Sequence, residues 1–127
     1  MIIKSLKLHN IRSYQEVNVE FPKGSFLLSG DIGAGKTTIL MALEFALFGL
    51  LRGSINGTDI LRHGTNDGSV LLRFSIDNKH YAIFRRIKRT SVGVSQDSGY
   101  LEKNGIKENL VHTELKSRIL ELLGYPK

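Results

Sequence analysis

The chain has no cysteine among its 127 residues, and its four histidines are scattered along it. Without cysteine there can be no disulfide scaffold and no cysteine-ligated metal site, which fits a reducing compartment. The histidines show neither the HxxxH nor the HExxH spacing of a zinc site. They are His9, His63, His80 and His112. We therefore expect neither a secreted disulfide-rich fold nor a histidine metal centre.

Long hydrophobic runs are also missing. The longest, Ile39–Leu51, contains Glu44 and is too short to span a bilayer. The first residues, MIIKSLKLHNIR, are charged throughout and include no small-residue cleavage site, so they do not resemble a signal peptide. We expect no membrane association.

What the chain does contain is enough apolar residues for one core and a surplus of positive charge. Hydrophobic residues make up 41% of it, and its length suits one domain or a piece of one. Eighteen Lys and Arg residues against twelve Asp and Glu residues give a net charge of +6. This charge favours an acidic partner, such as a nucleotide or a nucleic acid.

The first part of the chain predicts three strands and a helix. The strands are expected at Ile2–Leu8, Val17–Phe21 and Ser25–Ser29, from alternating or short apolar runs. A helix is expected over Lys36–Leu50. Its residues from Ile39 to Phe48 are apolar on almost every side, which predicts a centrally buried helix.

The second part predicts antiparallel strands and a last helix. A loop over residues 53–59 precedes a hairpin of Ser69–Ile76 and His80–Arg89, turning at Asp77-Asn78-Lys79. Asn104-Gly105 is a further turn signal. The last helix is expected to have Thr113 as its N-cap and Glu114 in its first turn, and to end at Gly124 and Pro126. Its apolar stripe comprises Leu115, Ile119, Leu120, Leu122 and Leu123.

A glycine-rich loop, GDIGAGKT at residues 30–37, joins the third strand to the first helix. The pattern G-x-x-x-x-G-K-[ST] is filled by Gly30, Gly35, Lys36 and Thr37, with Gly33 as an extra glycine. Glycines let backbone N–H groups approach phosphate oxygens, and the helix directs its positive end at the anion. Lys36 is expected to reach the β- and γ-phosphates, Thr37 to ligate Mg²⁺, and Thr38 to donate to the α-phosphate. The loop predicts an ATP site.

The segments around the loop resemble a known family. LKLHNIRSY, then VNVEF, then GDIGAGKTTILMALEFALFG are similar to the N-terminal ATPase lobe of the Rad50/SbcC family. These are ABC-type ATPases related to the SMC proteins, and they act in DNA double-strand-break repair. The resemblance is clear over about residues 1–53 and looser to residue 127. It implies an α/β P-loop NTPase lobe, in which early strands and the P-loop helix precede an antiparallel β section and a C-terminal helix.

The resemblance also implies nucleotide-binding residues outside the loop. Arg12 would lie near the phosphates with Ser13 beside it, and Arg62 and His63 would approach the base or ribose. The loop residues implied are Asp31, Ile32, Gly33, Ala34, Gly35, Lys36, Thr37 and Thr38. Three positions depart from the family pattern: Ile11 replaces an aromatic residue, Ile32 a polar one and Met41 an aspartate. Ile32 would remove a side-chain contact to the γ-phosphate, and the effect of Met41 is open.

The groups that hydrolyse ATP are not found in the sequence. No apolar run is followed by Asp-Glu, the carboxylate pair that completes the Mg²⁺ site and positions water. The resemblance also implies a glutamine loop, a coiled coil and a signature motif, none of which occurs in residues 1–127. We expect residues 1–127 to be the N-terminal lobe of an ATPase head, without catalytic residues of its own and inactive alone.

A basic run, FRRIKR, lies on the second hairpin strand. Alternation puts Arg86 and Lys88 on one face, with Arg73 on the neighbouring strand, and Arg85 and Arg89 on the other. Such a cluster suits DNA phosphates, and no aromatic residue interrupts it to stack on bases. The alternative is a solvated sheet face, or salt bridges with Glu102 and Asp97.

The favoured function is the ATP-binding lobe of a Rad50/SbcC-like repair ATPase in the cytoplasm, associated with the nucleoid, or in the nucleus. The resemblance implies its own C-terminal lobe, a second copy, a nuclease of the Mre11/SbcD type and DNA as partners. Alternatives are the nucleotide-binding subunit of an ABC transporter, an SMC- or RecF-type head, a small nucleoside kinase and a non-enzymatic DNA-binding module. The Asn10–Ser13 turn speaks against the transporter.

Overall fold

The computed structural model describes residues 2–21, 35–49, 60–91 and 93–124. The strands in these ranges are β1 (Ile2–Ile11), β2 (Tyr14–Glu20), β3 (Asp67–Ile76), β4 (Lys79–Thr90), β5 (Gly93–Gln96), β6 (Gly99–Lys103) and β7 (Ile106–Leu110). The helices are α1 (Gly35–Phe48) and α2 (His112–Leu123). The predicted strand Ser25–Ser29 and the predicted loop at 53–59 lie outside the described residues.

The described strands form one antiparallel sheet. Its order is β2-β1-β3-β4-β6-β7, and β5 pairs with β4 beside this path. The predicted antiparallel β section and C-terminal helix are therefore confirmed, and β1 and β2 belong to the same sheet. Antiparallel pairing allows one face to pack on the core while the other meets water.

The β3–β4 hairpin is the centre of this sheet. Its turn has two residues, Asp77 and Asn78, with φ of 50° and 64°. Ile76 pairs directly with Lys79, so Lys79 begins β4, and the expected three-residue turn is wrong by one residue. Two left-handed residues give the turn the twist of the strands it joins, and Asn and Asp adopt this conformation readily.

Both helices pack on one face of the sheet. α1 contacts β1, β3 and β4, and α2 contacts β6, β7 and α1. The alternate residues that face the helices are fully buried: Leu6 and Leu8 of β1, Val70, Leu72 and Phe74 of β3, and Ile83 and Ile87 of β4. Burying each such side chain is worth about 1.5–3 kcal/mol, so this layer holds α1 against the sheet.

α1 is less enclosed than its sequence suggests. Ile39, Ala42, Phe45 and Ala46 are buried, but Leu40 is 46% exposed. The sheet can cover one side of a helix only, so the prediction of burial on almost every side is wrong for the described part of the chain. In that part, no helix is long and apolar enough to cross a membrane.

α2 begins earlier than predicted. The helix starts at His112, Val111 occupies the N-cap position without a side-chain capping bond, and Thr113 lies inside the first turn. Thr113 as N-cap is therefore wrong. The chain enters the helix directly from β7, where the Leu115 N–H already donates to the Val111 carbonyl at 2.9 Å. The predicted end is confirmed, because Gly124 has a left-handed φ of 82°.

Candidate functional site

The turn between β1 and β2 has a strained backbone. Asn10 and Arg12 both have φ of 53°. Asn adopts this left-handed region readily, but it costs a residue such as Arg about 1–2 kcal/mol. Such conformations persist where neighbouring structure holds them, and they cluster at functional sites. Here the Arg12 N–H donates to the Ile60 carbonyl at 2.7 Å, and the Asn10 carbonyl accepts from the Arg62 N–H at 2.9 Å. The strained turn is thus tied to a distant segment of the chain.

That tie brings Arg12, Ser13 and Arg62 together. Ile11 and Leu61 form a bridge between the two segments. Arg62 then donates from Nη1 to the Ser13 carbonyl oxygen at 2.8 Å. His63 comes next, in an exposed turn. The residues that the family resemblance pointed to are therefore neighbours, although about fifty positions separate them in the sequence.

The same turn lies beside α1. Arg12 Nη1 donates to Met41 Sδ at 3.8 Å, on the second turn of the helix. Thioether sulfur is a weak, uncharged acceptor. Met41, whose effect was open, thus contacts Arg12 as an uncharged group. An aspartate at this position would add a negative charge beside the guanidinium. Thr38, in the first turn of α1, is only 4% exposed.

The start of α1 is electrostatically suited to an anion. A helix N-terminus carries partial positive charge from its unpaired N–H groups. No acidic side chain occupies the first turn of α1 to neutralise it. The cationic Arg12 lies one turn further along the helix. The predicted loop residues Asp31, Ile32, Gly33 and Ala34, and the side chains of Lys36 and Thr37, lie outside what the structure describes.

A glycine that the sequence analysis did not single out makes this arrangement possible. At Gly68, near the start of β3, a Cβ atom would lie 2.8 Å from the Asn10 carbonyl oxygen and 2.9 Å from that of His9. Only glycine allows β3 to approach the strained turn so closely. An isolated glycine at the edge of a strand pattern is a signal for such an approach, and it could have revealed this position.

A complete metal site is not found in the described residues. They contain no group of three or more His, Cys, Asp or Glu side chains that could hold a metal ion. The Mg²⁺ site expected at Thr37 remains a prediction, because that side chain is not among the described ones. The residues present fit a polyphosphate, for which the helix end and the nearby arginines supply positive charge.

The basic hairpin is largely paired within the chain. Arg86 contacts Asp67 at 3.0 Å and Asp97 at 3.4 Å, and Arg73 contacts Glu102 at 3.6 Å. Lys88 is exposed. These are the salt bridges that the alternative interpretation named, together with one to Asp67. DNA binding by Arg73, Arg86 and Lys88 stays a prediction, with two of its three cations engaged.

The outer face of the sheet also carries an aromatic pair. Phe84 and Tyr100 stack across β4 and β6 with ring centroids 5.1 Å apart, and the Lys107 ammonium lies 4.3 Å from the Tyr100 centroid. Phe84 begins the basic run itself, and Tyr100 reaches this face only through the pairing of β4 with β6.

The comparisons with known proteins agree with this picture. A family model described as an AAA domain, AAA_23, matches residues 5–126. The DNA double-strand break repair Rad50 ATPase of Archaeoglobus fulgidus is 33% identical over 92 residues, which are 72% of this chain and 10% of that protein. The protein of the same name from Sulfolobus acidocaldarius is 30% identical over 128 residues, or 98% of this chain and 14% of that protein. The chain therefore spans about a seventh or less of the length of these relatives.

A solved structure shows the same fold. The recombination mediator protein RecF–ATPrS in the RecFOR pathway matches 93% of this chain and 29% of its own, with a TM-score of 0.57 and 17% identity. The resemblance to the N-terminal ATPase lobe of the Rad50/SbcC family is confirmed by the matches over most of the chain. The chain thus belongs to the AAA_23 family of AAA domains.

Proposed function

We propose that this chain is the ATP-binding lobe of a Rad50/SbcC-like ATPase that acts in DNA double-strand-break repair. The observation that carries the proposal is the cluster of Arg12, Ser13 and Arg62 beside α1. It lies next to the helix that the phosphate-loop sequence introduces. The two curated relatives are named as ATPases of this kind, which supports the same function here.

Each residue has a proposed role in binding ATP. The loop backbone from Asp31 to Gly35 holds the phosphates, and Lys36 supplies charge to the β- and γ-phosphates. Thr37 ligates Mg²⁺, which screens the phosphate charge when bound, and Thr38 donates to the α-phosphate. Arg12 adds a cation on the phosphate side, while Arg62 and His63 face the base or ribose.

Hydrolysis is proposed to need more than these residues. In the complete protein, a C-terminal lobe would supply the carboxylates, and a second copy would close on the bound ATP. The closed pair of heads would act on DNA with a nuclease of the Mre11/SbcD type. Residues 1–127 contain no Asp-Glu motif, which supports the proposal that the carboxylates come from another lobe.

Calorimetric titration of Mg·ATP into the chain tests the proposal. Lys36→Ala should weaken binding at least about tenfold, equivalent to 1.4 kcal/mol or more, because a charge beside the phosphates is lost. Lys88→Ala removes the same charge at an exposed position on β4 and should leave the affinity unchanged. Equal ATP affinity in the wild type and Lys36→Ala would overturn the site assignment.

A RecF- or SMC-type head is the second candidate, favoured by the fold shared with RecF. The two candidates share the lobe and the ATP site, and the sequence separates them only through the details of Arg12-Ser13-Tyr14 and of α1. A heptad-rich coiled coil encoded next would support the Rad50/SbcC type. A transporter-like helical subdomain there would instead support the ABC transporter alternative.

A further inference from the structure

The C-terminal end of α1 is capped by a side chain from another element. The last four carbonyl groups of a helix lack intrahelical donors, and α1 has no basic residue in its last turn. The Gly49 N–H donates to the Phe45 carbonyl at 2.8 Å. The next two carbonyls accept from Arg85 of β4: Nε donates to Ala46 at 2.8 Å, and Nη2 donates to Leu47 at 3.4 Å. One guanidinium thus closes this helix end.

Arg85 is a buried cation whose partners are these carbonyls. It is 2% exposed, and its burial lowers its pKa to about 10, so it remains charged at neutral pH. None of the ion pairs in the described part of the chain includes it. Its charge is balanced by the negative end of the α1 dipole. The position of Arg85 and the position of α1 therefore depend on each other.

Gly49 leaves the space that this contact needs. A Cβ atom there would lie 2.7 Å from Gln96 Oε1 and 3.1 Å from Arg85 Nη1. Its φ of +76° is also left-handed, which glycine adopts without strain. A side chain at this position would displace the end of Gln96 and shift the guanidinium by a few tenths of an ångström.

A second arginine of β4 holds the other part of the proposed nucleotide site. Arg89 donates from Nε to the Thr65 carbonyl at 2.9 Å and from Nη2 to the Arg62 carbonyl at 3.5 Å. Arg62 is the residue that reaches Ser13 in the strained turn. Side chains of the same strand thus donate hydrogen bonds both to α1 and to the Arg62–Thr65 turn.

We propose that Arg85 and Arg89 are positioning residues for the nucleotide site, and that β4 sets the distance between α1 and the Arg62–Thr65 turn. Both side chains donate to backbone carbonyls of the elements that they hold. Their effect passes through rigid elements: α1 is about 20 Å long at 1.5 Å per residue, and it moves as a unit. The proposal rests on the proposed ATP-binding function.

Titration of Mg·ATP into matched variants of β4 tests it. Arg85→Met keeps the bulk and loses both donated bonds, and Arg89→Ala releases the Arg62–Thr65 turn. We expect the dissociation constant to rise about 2- to 30-fold, more for Arg85→Met than for Arg89→Ala. Lys79→Ala, exposed on the same strand, is the control and should leave the ATP dissociation constant unchanged. Arg85→Lys should recover part of the affinity, because it keeps the charge and one donor group.

A second pair of variants keeps Arg85 itself. Gly49→Ala crowds Gln96 and the guanidinium, whereas Gly124→Ala imposes similar left-handed strain at φ of +82° with nothing within 4 Å. Only Gly49→Ala should weaken ATP binding. All titrations are made at a temperature at which circular dichroism shows each variant folded, so a role in stability alone would move the melting temperature and not the dissociation constant.

Hydrogen exchange of the wild type decides the question if the variants do not fold. Coupling is reciprocal, so bound Mg·ATP should slow exchange of the Gly49 and Thr65 amides. Unchanged exchange there, or folded Arg85→Met and Gly49→Ala with wild-type affinity, would overturn the proposal. A wild type that binds no ATP would instead overturn the proposed function, and this inference with it.

Discussion

The two ends of α1 differ in the part of the sequence from which their neighbouring groups come. The N-terminal end comes after a glycine-rich loop within one contiguous stretch of sequence, and its donors are free of acidic side chains in the first turn. The C-terminal end is closed by Arg85, which belongs to a strand much later in the chain. A helix end that binds a ligand through its own loop leaves a motif in the sequence, while one that is closed from elsewhere leaves none.

The largest expected effect concerns turnover at the N-terminal end. Residues 1–127 should bind ATP without releasing phosphate above background, because each missing charge-stabilising group in such reactions is worth about 10²–10⁵ in rate. A phosphate-release assay on the chain alone, and with the C-terminal lobe added in trans, measures this. The added lobe should restore activity. Robust turnover by the chain alone, abolished by Lys36→Ala, would favour the small-kinase alternative.

The next effect concerns the stability of the C-terminal end. Gly49→Ala should lower the free energy of unfolding by about 2–5 kcal/mol, from left-handed strain and overpacking against Arg85 and Gln96. Gly124→Ala, which meets no atom within 4 Å, should cost only the strain, about 1–2 kcal/mol. Urea denaturation of both variants checks the difference. Equal losses would mean that the buried cap at Gly49 is not sterically demanding.

A smaller effect is expected from charge beside the N-terminal half of α1. Met41→Asp should pair with Arg12 and weaken ATP binding, by up to about tenfold for a shift of 1.4 kcal/mol. Met41→Leu keeps the size without the charge and is the control. The ATP dissociation constants of the two variants give the measurement. If neither Met41→Asp nor Arg12→Ala changes the ATP dissociation constant, Arg12 does not act on the phosphates.

The smallest effect is expected on the outer side of β4, away from both helix ends. If the hairpin binds DNA, Lys88→Ala should reduce the slope of log affinity against log salt concentration by about 0.9, the contribution of one phosphate. Arg86→Ala should reduce it less, because Asp67 and Asp97 already engage that guanidinium. Salt titrations of a DNA duplex measure both. If the DNA affinity of the wild type does not change with salt concentration, the hairpin does not bind DNA phosphates and is a solvated face of the sheet.

Local patterns predicted β1 to β4 and both helices, but no strand was predicted at β5. The strands, the Asn104–Gly105 turn and the end of α2 at Gly124 can be understood from alternation and from residues that tolerate left-handed φ. The start of α2 was missed because the packing of Leu115 and Ile119 outweighed a good capping residue at Thr113. The exposure of Leu40 was missed because an apolar sequence does not specify which side of a helix the sheet will cover.

In the candidate site, too, some features can be predicted from the sequence and others depend on the fold. The phosphate loop stays a prediction, which rests on glycines and a lysine at fixed spacing along the chain. The Asn10–Ser13 turn was found by resemblance, although its contact with Arg62 was not. That contact arises because antiparallel pairing brings β3, and the segment before it, alongside β1.

The amino-acid order by itself determined the class of protein and the alternation of the strands, and it predicts the phosphate loop, since each depends on neighbours a few residues apart. Strand pairing and helix packing determined the rest: Met41 faces Arg12, Gly68 makes room for the strained turn, and Arg85 closes α1. The basic run on β4 shows the difference most directly. Its sequence is typical of a surface for phosphates, yet Arg85, Arg86 and Arg89 all donate to groups of the chain itself. Arg85 is buried, so its desolvated charge requires a partner, which the carbonyls of α1 provide. Arg86 and Arg89 are more exposed, and they contact carboxylates and carbonyls that strand pairing brings near.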